Sequence, residues 1–164
     1  MNKALENKFV KELQANQGII HKICRAYTKG DAQHKDLFQE ITIQLFKAYP
    51  KFRGDSKFST WMYRVAINTA ISLYRKSKRQ VQTSELFDNL KELEYQEYDD
   101  TKDKQVELLY QAINVFNDID KALILMYLEG KPYTEISEIL GISEVNARVK
   151  MNRAKKKLKN ILNP

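Results

Sequence analysis

The chain has 164 residues and a formal net charge of +7, with 43% apolar and 30% charged residues. That length suits one ordinary domain or two small ones, and five Gly and three Pro leave little material for tight turns, so long helices are the expected element. The longest apolar run, "ALILMYL", has seven residues against the roughly 20 of a membrane helix, and a single Cys24 excludes an internal disulfide framework. With no signal-peptide core at the N-terminus, these features lead to the expectation of a soluble, cytoplasmic protein with no membrane insertion.

The charge is unevenly distributed. Residues 1–80 hold 16 Lys/Arg against 6 Asp/Glu, residues 81–117 hold 3 against 9, and residues 118–164 hold 9 against 6. A chain that is basic, then acidic, then basic suggests two surfaces for a polyanion separated by a spacer.

In chain order, residues 5–28 repeat Leu5, Phe9, Leu13, Ile20, Cys24 and Tyr27 at helical spacing. Gly30 and Asp31 mark a helix end and a new N-cap. A second helix is expected from about Ala32 to Tyr49, with Leu37, Ile41, Leu45 and Ala48 inward and Asp36, Gln39, Glu40 and Lys47 away from that stripe. Pro50 stops it. A third helix is expected from about Phe58 to Ser77. Its apolar arc includes Phe58, Met62, Val65, Ala66 and Leu73, and its remaining arc holds Trp61, Arg64, Asn68, Ser72 and Arg75. An indole, an amide and two guanidiniums on one face, running into "RKSKR", make an unusual solvated surface. Taken alone, Trp61 fits a half-buried core anchor.

Residues 80–104 read as an acidic linker that is helical at most in part, followed by helices at about 104–115, 118–129, 133–140 and 143–162, with Asp118 and Ser143 as N-caps and Gly130 and Gly141 as stops. The expected fold is all-α: two small helical domains, at 1–80 and 105–164, joined by the linker at 81–104. "PYTEISEILGISEVNARVKMNRAKKKL" has helix–turn–helix grammar. Ile136, Ile139 and Leu140 pack the first helix. Gly141 suits the left-handed turn, and Ala147, Met151, Ala154, Leu158 and Leu162 form the buried stripe of the second. Arg148, Val149, Asn152, Arg153, Lys155 and Lys156 are left outside. Arg can bond guanine and Asn adenine bidentately, Val can touch a thymine methyl, and Lys reaches phosphates.

Two segments, "DLFQEITIQLFKAYPKFRGDSKFSTWMYRVAINTAISLYRKSKR" and "DIDKALILMYLEGKPYTEISEILGISEVNARVKMNRAKKKLK", resemble regions 2 and 4 of extracytoplasmic-function (ECF) sigma factors, small bacterial initiation subunits of RNA polymerase. The resemblance implies docking of Asp36, Gln39 and Glu40 on a coiled coil of the core enzyme. It implies a minus-ten pocket loop at Arg53, Gly54, Asp55, Ser56 and Lys57. Trp61, Arg64 and Asn68 would face the non-template strand, and Arg75, Lys76, Lys78 and Arg79 the phosphates. In the last helix Arg148, Val149, Asn152 and Arg153 would sit near minus-thirty-five base edges, with Tyr133, Thr134, Ser143, Lys155 and Lys156 on the backbone. Where many relatives have Gly-Thr-Val at the start of this helix, this chain has Val145, Asn146 and Ala147, so the upstream sequence cannot be borrowed from them. The implied partners are core RNA polymerase, promoter DNA and an anti-sigma factor. The acidic linker then either occupies the RNA exit path or serves as a spacer.

No cofactor, metal, small-molecule substrate or enzymatic activity is expected. His21 and His34 lack further ligands at metal spacing, and no phosphate loop or nucleophile elbow is present. An ordinary helix–turn–helix regulator, the main rival, accounts for the last helix but leaves "DLFQE" and the Trp61–Asn68 face idle.

Overall fold

The structure, a computed structural model, describes residues 1–88 and 104–164, apart from the side chains of 79–88. Most of the expected acidic linker therefore lies outside the described residues. The elements are α1 (Lys3–Tyr27), α2 (Asp31–Ala48), a 3-10 turn at Tyr49–Lys51, α3 (Phe58–Asp88), α4 (Lys104–Ile113), α5 (Asp118–Leu128), α6 (Tyr133–Leu140) and α7 (Glu144–Leu162). No strand occurs among the described residues.

Local chemistry sets the boundaries. Asn2 caps α1 by accepting from the Leu5 amide at 2.8 Å. Pro50 lies in the 3-10 turn that ends α2, as its missing N–H requires. The third helix continues beyond the expected end at Ser77 to Asp88, because no Gly or Pro interrupts it. The cap of α5 is Asn117 rather than Asp118, accepting from the Asp120 amide at 2.8 Å. Asp118 instead takes the first turn, where a carboxylate complements the helix dipole. Ser143 caps α7 as expected, accepting from the Asn146 amide at 3.1 Å. Gly141 closes α6 with φ 68°, a left-handed conformation that favours glycine.

The first three helices form a bundle. Phe9, Ile20, Ile23 and Cys24 of α1 are buried with Leu37, Ile41 and Leu45 of α2 and Met62, Tyr63, Ala66, Ile67 and Ala70 of α3. Each large aliphatic side chain here contributes about 1.5–3 kcal/mol by leaving water. In the second bundle Ala147, Met151 and Ala154 of α7 are buried, whereas Leu162, the last residue of the helix, is exposed.

Helix α5 is the hinge of the packing. Six consecutive residues, Lys121 to Met126, are buried, so every side of that stretch is covered. Helix α5 packs against α6 and α7 of its own bundle and against α1 and α3 of the first. A helix that is apolar all round belongs in an interior, which accounts for "ALILM", whereas Tyr127 and Leu128 at the end of the run are exposed. The buried residues of both bundles form one continuous core.

Candidate nucleic-acid interface

On α2, Asp36 and Gln39 are exposed and Glu40 is half-buried. The Glu40 carboxylate accepts from the Gln44 amide at 2.9 Å. Asp36 and Glu40 rim a cavity of about 350 Å³ lined also by Leu37, Ala70, Leu73 and Tyr74. Gln39 does not line it. The three acidic or amide groups therefore remain available on one helix, two of them beside an apolar floor.

The loop Arg53–Lys57 is exposed throughout and turns at Gly54, φ 77°. It leads into α3 beside an aromatic cluster. Trp61 is half-buried, its ring 4.9 Å from Phe52, 5.5 Å from Phe58 and 6.0 Å from Tyr49. The Tyr49 hydroxyl donates to Glu12 at 3.0 Å, and burial with this carboxylate raises its pKa. Trp61 is thus both an anchor and a partly open ring. Arg64, Asn68, Ser72 and Arg75 follow it as an exposed stripe, matching one helical face. Lys76 and Lys78 are also exposed, with the Lys78 amine 4.8 Å from the Tyr74 ring centre. Arg79 falls within α3, but its side chain lies outside the described residues. Arg75 is paired with the Asp118 carboxylate of α5.

At the other end, Arg148, Val149, Asn152, Arg153, Lys155 and Lys156 of α7 are all exposed, as are Thr134 and Ser143, while Tyr133 is half-buried. The Arg148 guanidinium lies 4.9 Å from the Tyr133 ring centre and 4.0 Å from Glu144. The Lys155 amine lies 4.3 Å from the Tyr127 ring centre, and the Tyr127 hydroxyl raises its pKa, keeping it cationic. Stacking of a guanidinium on a ring costs little of its donor capacity. The helix presents guanidinium and amide donors flanked by lysine amines on one exposed face.

Sequence reasoning left out Val145, which is 71% exposed on the first turn of α7, one turn before Val149. Two valines at i and i+4 outside the buried stripe were the available signal. It also missed the residues that join the two bundles. Tyr27 donates to the Asp118 carbonyl at 2.5 Å, Lys22 meets Glu129 at 2.5 Å, and Thr60 donates to Glu135 at 2.8 Å. Lys131 also bonds Glu135, at 2.9 Å. Burial pushes the Glu135 carboxyl pKa up, but the bonds from Lys131 and Thr60 outweigh it and the net shift is downward. Lys121, 1% exposed, was readable only as a lone cation beside an apolar run. Among the described residues no group of three or more His, Cys, Asp or Glu is placed to hold a metal ion, and no helix is long and apolar enough to cross a membrane.

Comparison with known proteins identifies the two bundles. Family models for sigma-70 region 2 and sigma-70 region 4 match residues 13–80 and 107–158. The RNA polymerase sigma-H factor of Pseudomonas aeruginosa is 32% identical over 146 residues, covering 82% of this chain and 76% of that protein. The ECF RNA polymerase sigma-E factor of Escherichia coli is 29% identical over 153 residues, covering 87% and 79%. The fold is shared with the sigma factor RpoE of Bartonella quintana, solved with the anti-sigma factor NepR, at TM-score 0.76 and 19% identity over 94% of this chain and 96% of that one. CnrH, solved with the cytosolic domain of CnrY, matches at TM-score 0.66 and 16% identity over 96% and 89%. With both regions matched over most of the chain, it belongs to the ECF branch of the sigma-70 family, the factors that bring RNA polymerase to specific promoters.

Proposed function

We propose that residues 1–80 dock on core polymerase and open the minus-ten element, that residues 105–164 read the minus-thirty-five element, and that residues 81–104 connect them. Asp36, Gln39 and Glu40 meet the core enzyme. The loop Arg53–Lys57 receives an extruded base, Trp61, Arg64 and Asn68 hold the displaced strand by stacking and hydrogen bonding, and Arg75, Lys76, Lys78 and Arg79 hold its phosphates. Arg148, Val149, Asn152 and Arg153 read the upstream bases in the major groove, with Val145 added as a further apolar contact, and Tyr133, Thr134, Ser143, Lys155 and Lys156 grip the backbone. The single observation that carries this reading is the face of α3 on which a half-buried Trp61 ring is followed by exposed Arg64 and Asn68, in the same chain as a helix–turn–helix. A duplex-binding regulator has no use for such a stripe.

The chain itself carries out no catalysis. Polymerase makes the phosphodiester bonds, and this subunit supplies position and strand opening in the cytoplasm. The sigma factor RpoE of similar fold was solved with the anti-sigma factor NepR, and an anti-sigma factor is proposed as a partner here too. Incubation with purified core polymerase followed by run-off transcription on genomic promoter fragments tests the reading. Tight binding with new, specific transcripts is expected. Failure to bind active core enzyme from the same organism, with no inhibitor present, rules it out.

A further inference from the structure

The chain holds two histidines, His21 and His34. They stand 13 residues apart along the sequence, yet the hairpin of α1 and α2 brings His21 Nδ1 to 2.9 Å from His34 Nε2. The two rings are stacked, with centres 5.2 Å apart and planes inclined by 27°. The His21 ring also stacks on Phe38, with centres 4.6 Å apart and planes inclined by 21°. Three rings from two helices thus hold one another in place. None of the surfaces assigned above uses the two histidines. On α2, His34 shares the buried side of Leu37 and Ile41, and Asp36, Gln39 and Glu40 lie around the helix from it.

A nitrogen separation of 2.9 Å suits two chemistries. One neutral ring can donate to the other, which accepts. Two imidazole nitrogens also take this separation as neighbouring ligands of one metal ion. Bonds of ~2.0–2.1 Å that meet at a right angle place the nitrogens about 2.9 Å apart, whereas a tetrahedral angle places them about 3.3 Å apart. We propose that His21 and His34 form a two-imidazole site for a divalent transition metal of right-angle coordination, Cu2+ or Ni2+, and that the ion staples α1 to α2. Both ions favour nitrogen ligands in tetragonal geometry, and Cu2+ binds such ligands most tightly. Tetrahedral Zn2+ requires the nitrogens to part by about 0.4 Å.

Both rings ligate in the neutral form. Each then carries its proton on the outer nitrogen, His21 Nε2 and His34 Nδ1, so the ion replaces the hydrogen bond with no net loss of a proton. Burial, with His21 beside it, lowers the His34 pKa and favours that neutral form. Of the nearby charges, Asp31 favours a cation at His34 and Arg25 opposes one. His21 is exposed and His34 half-buried, so an ion enters from solvent. Among the described residues no group of three or more His, Cys, Asp or Glu gathers here, and water fills the remaining positions. An ion that binds the folded hairpin and bridges two helices stabilises the fold in step with its affinity.

The test uses the full chain without an affinity tag, stripped of metal with EDTA, dialysed, and then titrated with Cu2+, Ni2+ or Zn2+ salts. At Ni2+ about tenfold above its Kd, thermal unfolding of the native chain is expected to shift upward by about 3–6 °C, and Zn2+ is expected to shift it less. The paramagnetic resonance spectrum of the Cu2+-loaded chain is expected to show hyperfine splitting from two imidazole nitrogens. His21→Gln and His34→Gln are each expected to lose the Ni2+ shift. Each variant is compared with itself in EDTA, so that stability lost with the ring stack cancels. The nitrogen count in the native chain decides the matter should a variant fail to fold. Equal shifts in all three chains, or a Cu2+ spectrum without two histidine nitrogens, overturn the site and leave a hydrogen-bonded pair only. A Zn2+ shift as large as that of Ni2+ overturns the right-angle assignment. The site stands or falls independently of the promoter reading above.

Discussion

Lys121 shows how much one side chain can report. Its amine donates to the Ala26 carbonyl at 2.8 Å and to the Asn114 side chain at 3.3 Å, with the Tyr74 and Tyr27 ring centres 4.7 Å and 5.5 Å away. Burial lowers its pKa from 10.5 to about 8, repulsion from Lys78 and Lys29 adds to this, and Asp118 opposes it. Between those two values the unfolded chain binds more protons than the folded one, so stability rises with pH across that window. The urea midpoint of the full chain is therefore expected to climb from pH about 8 to about 9.5, and Lys121→Met is expected to flatten the climb. A midpoint that stays level or falls in the native chain contradicts the assignment. The window stops short of the tyrosines, because burial raises the Tyr27 and Tyr63 hydroxyls above their ordinary value of 10. Arg148 belongs to the same scale. Arg148→Ala is expected to weaken promoter binding by about 1–3 kcal/mol and to relax one base position of the upstream element. An equal loss on every sequence, measured by competition binding, would assign it to phosphate instead.

At the scale of elements, α3 divides its circumference between a core face and an exposed face. Met62, Tyr63, Ala66, Ile67 and Ala70 are buried, while Arg64, Asn68 and Arg75 are exposed. Because the exposed stripe contributes little to the bundle core, Asn68→Ala is expected to leave stability and duplex binding intact while reducing the permanganate reactivity of melted bases. Unchanged reactivity would remove Asn68 from strand opening. The turn between α6 and α7 behaves differently. Gly141 has φ 68° with open space where a Cβ would lie, so Gly141→Ala meets no clash and its cost is backbone conformation alone, about 1–2 kcal/mol. Thermal unfolding should show that loss. Promoter binding at a temperature where the variant is folded should be unchanged, since the turn sets the angle of α7 without contacting a base.

Over the whole molecule, the two proposed reading surfaces sit on bundles that pack together through α1, α3, α5 and α6. The free chain is accordingly expected to bind a promoter duplex carrying both elements no more tightly than one carrying the upstream element alone, in anisotropy titrations at fixed salt. Bound to core polymerase, it should discriminate between the two. Free-chain binding that already depends on both elements would show that no partner is needed to set their spacing.

The sequence by itself determined the helices, the helix–turn–helix and both exposed stripes. These are local matters: apolar residues recur every three or four positions, Ser143 caps by its own hydroxyl, and Gly141 turns where other residues are strained. Even the anomalies of α5, an unbroken apolar run beside one lysine, were visible, but their cause was not. Periodicity records that a face is buried without naming what buries it. Tertiary structure decided that α5 lies between the two bundles and that Asp118 takes up Arg75. It also decided that Lys121 bonds Ala26, 95 residues away along the chain. Contacts of that separation follow from how whole faces fit together, and no window of sequence carries them.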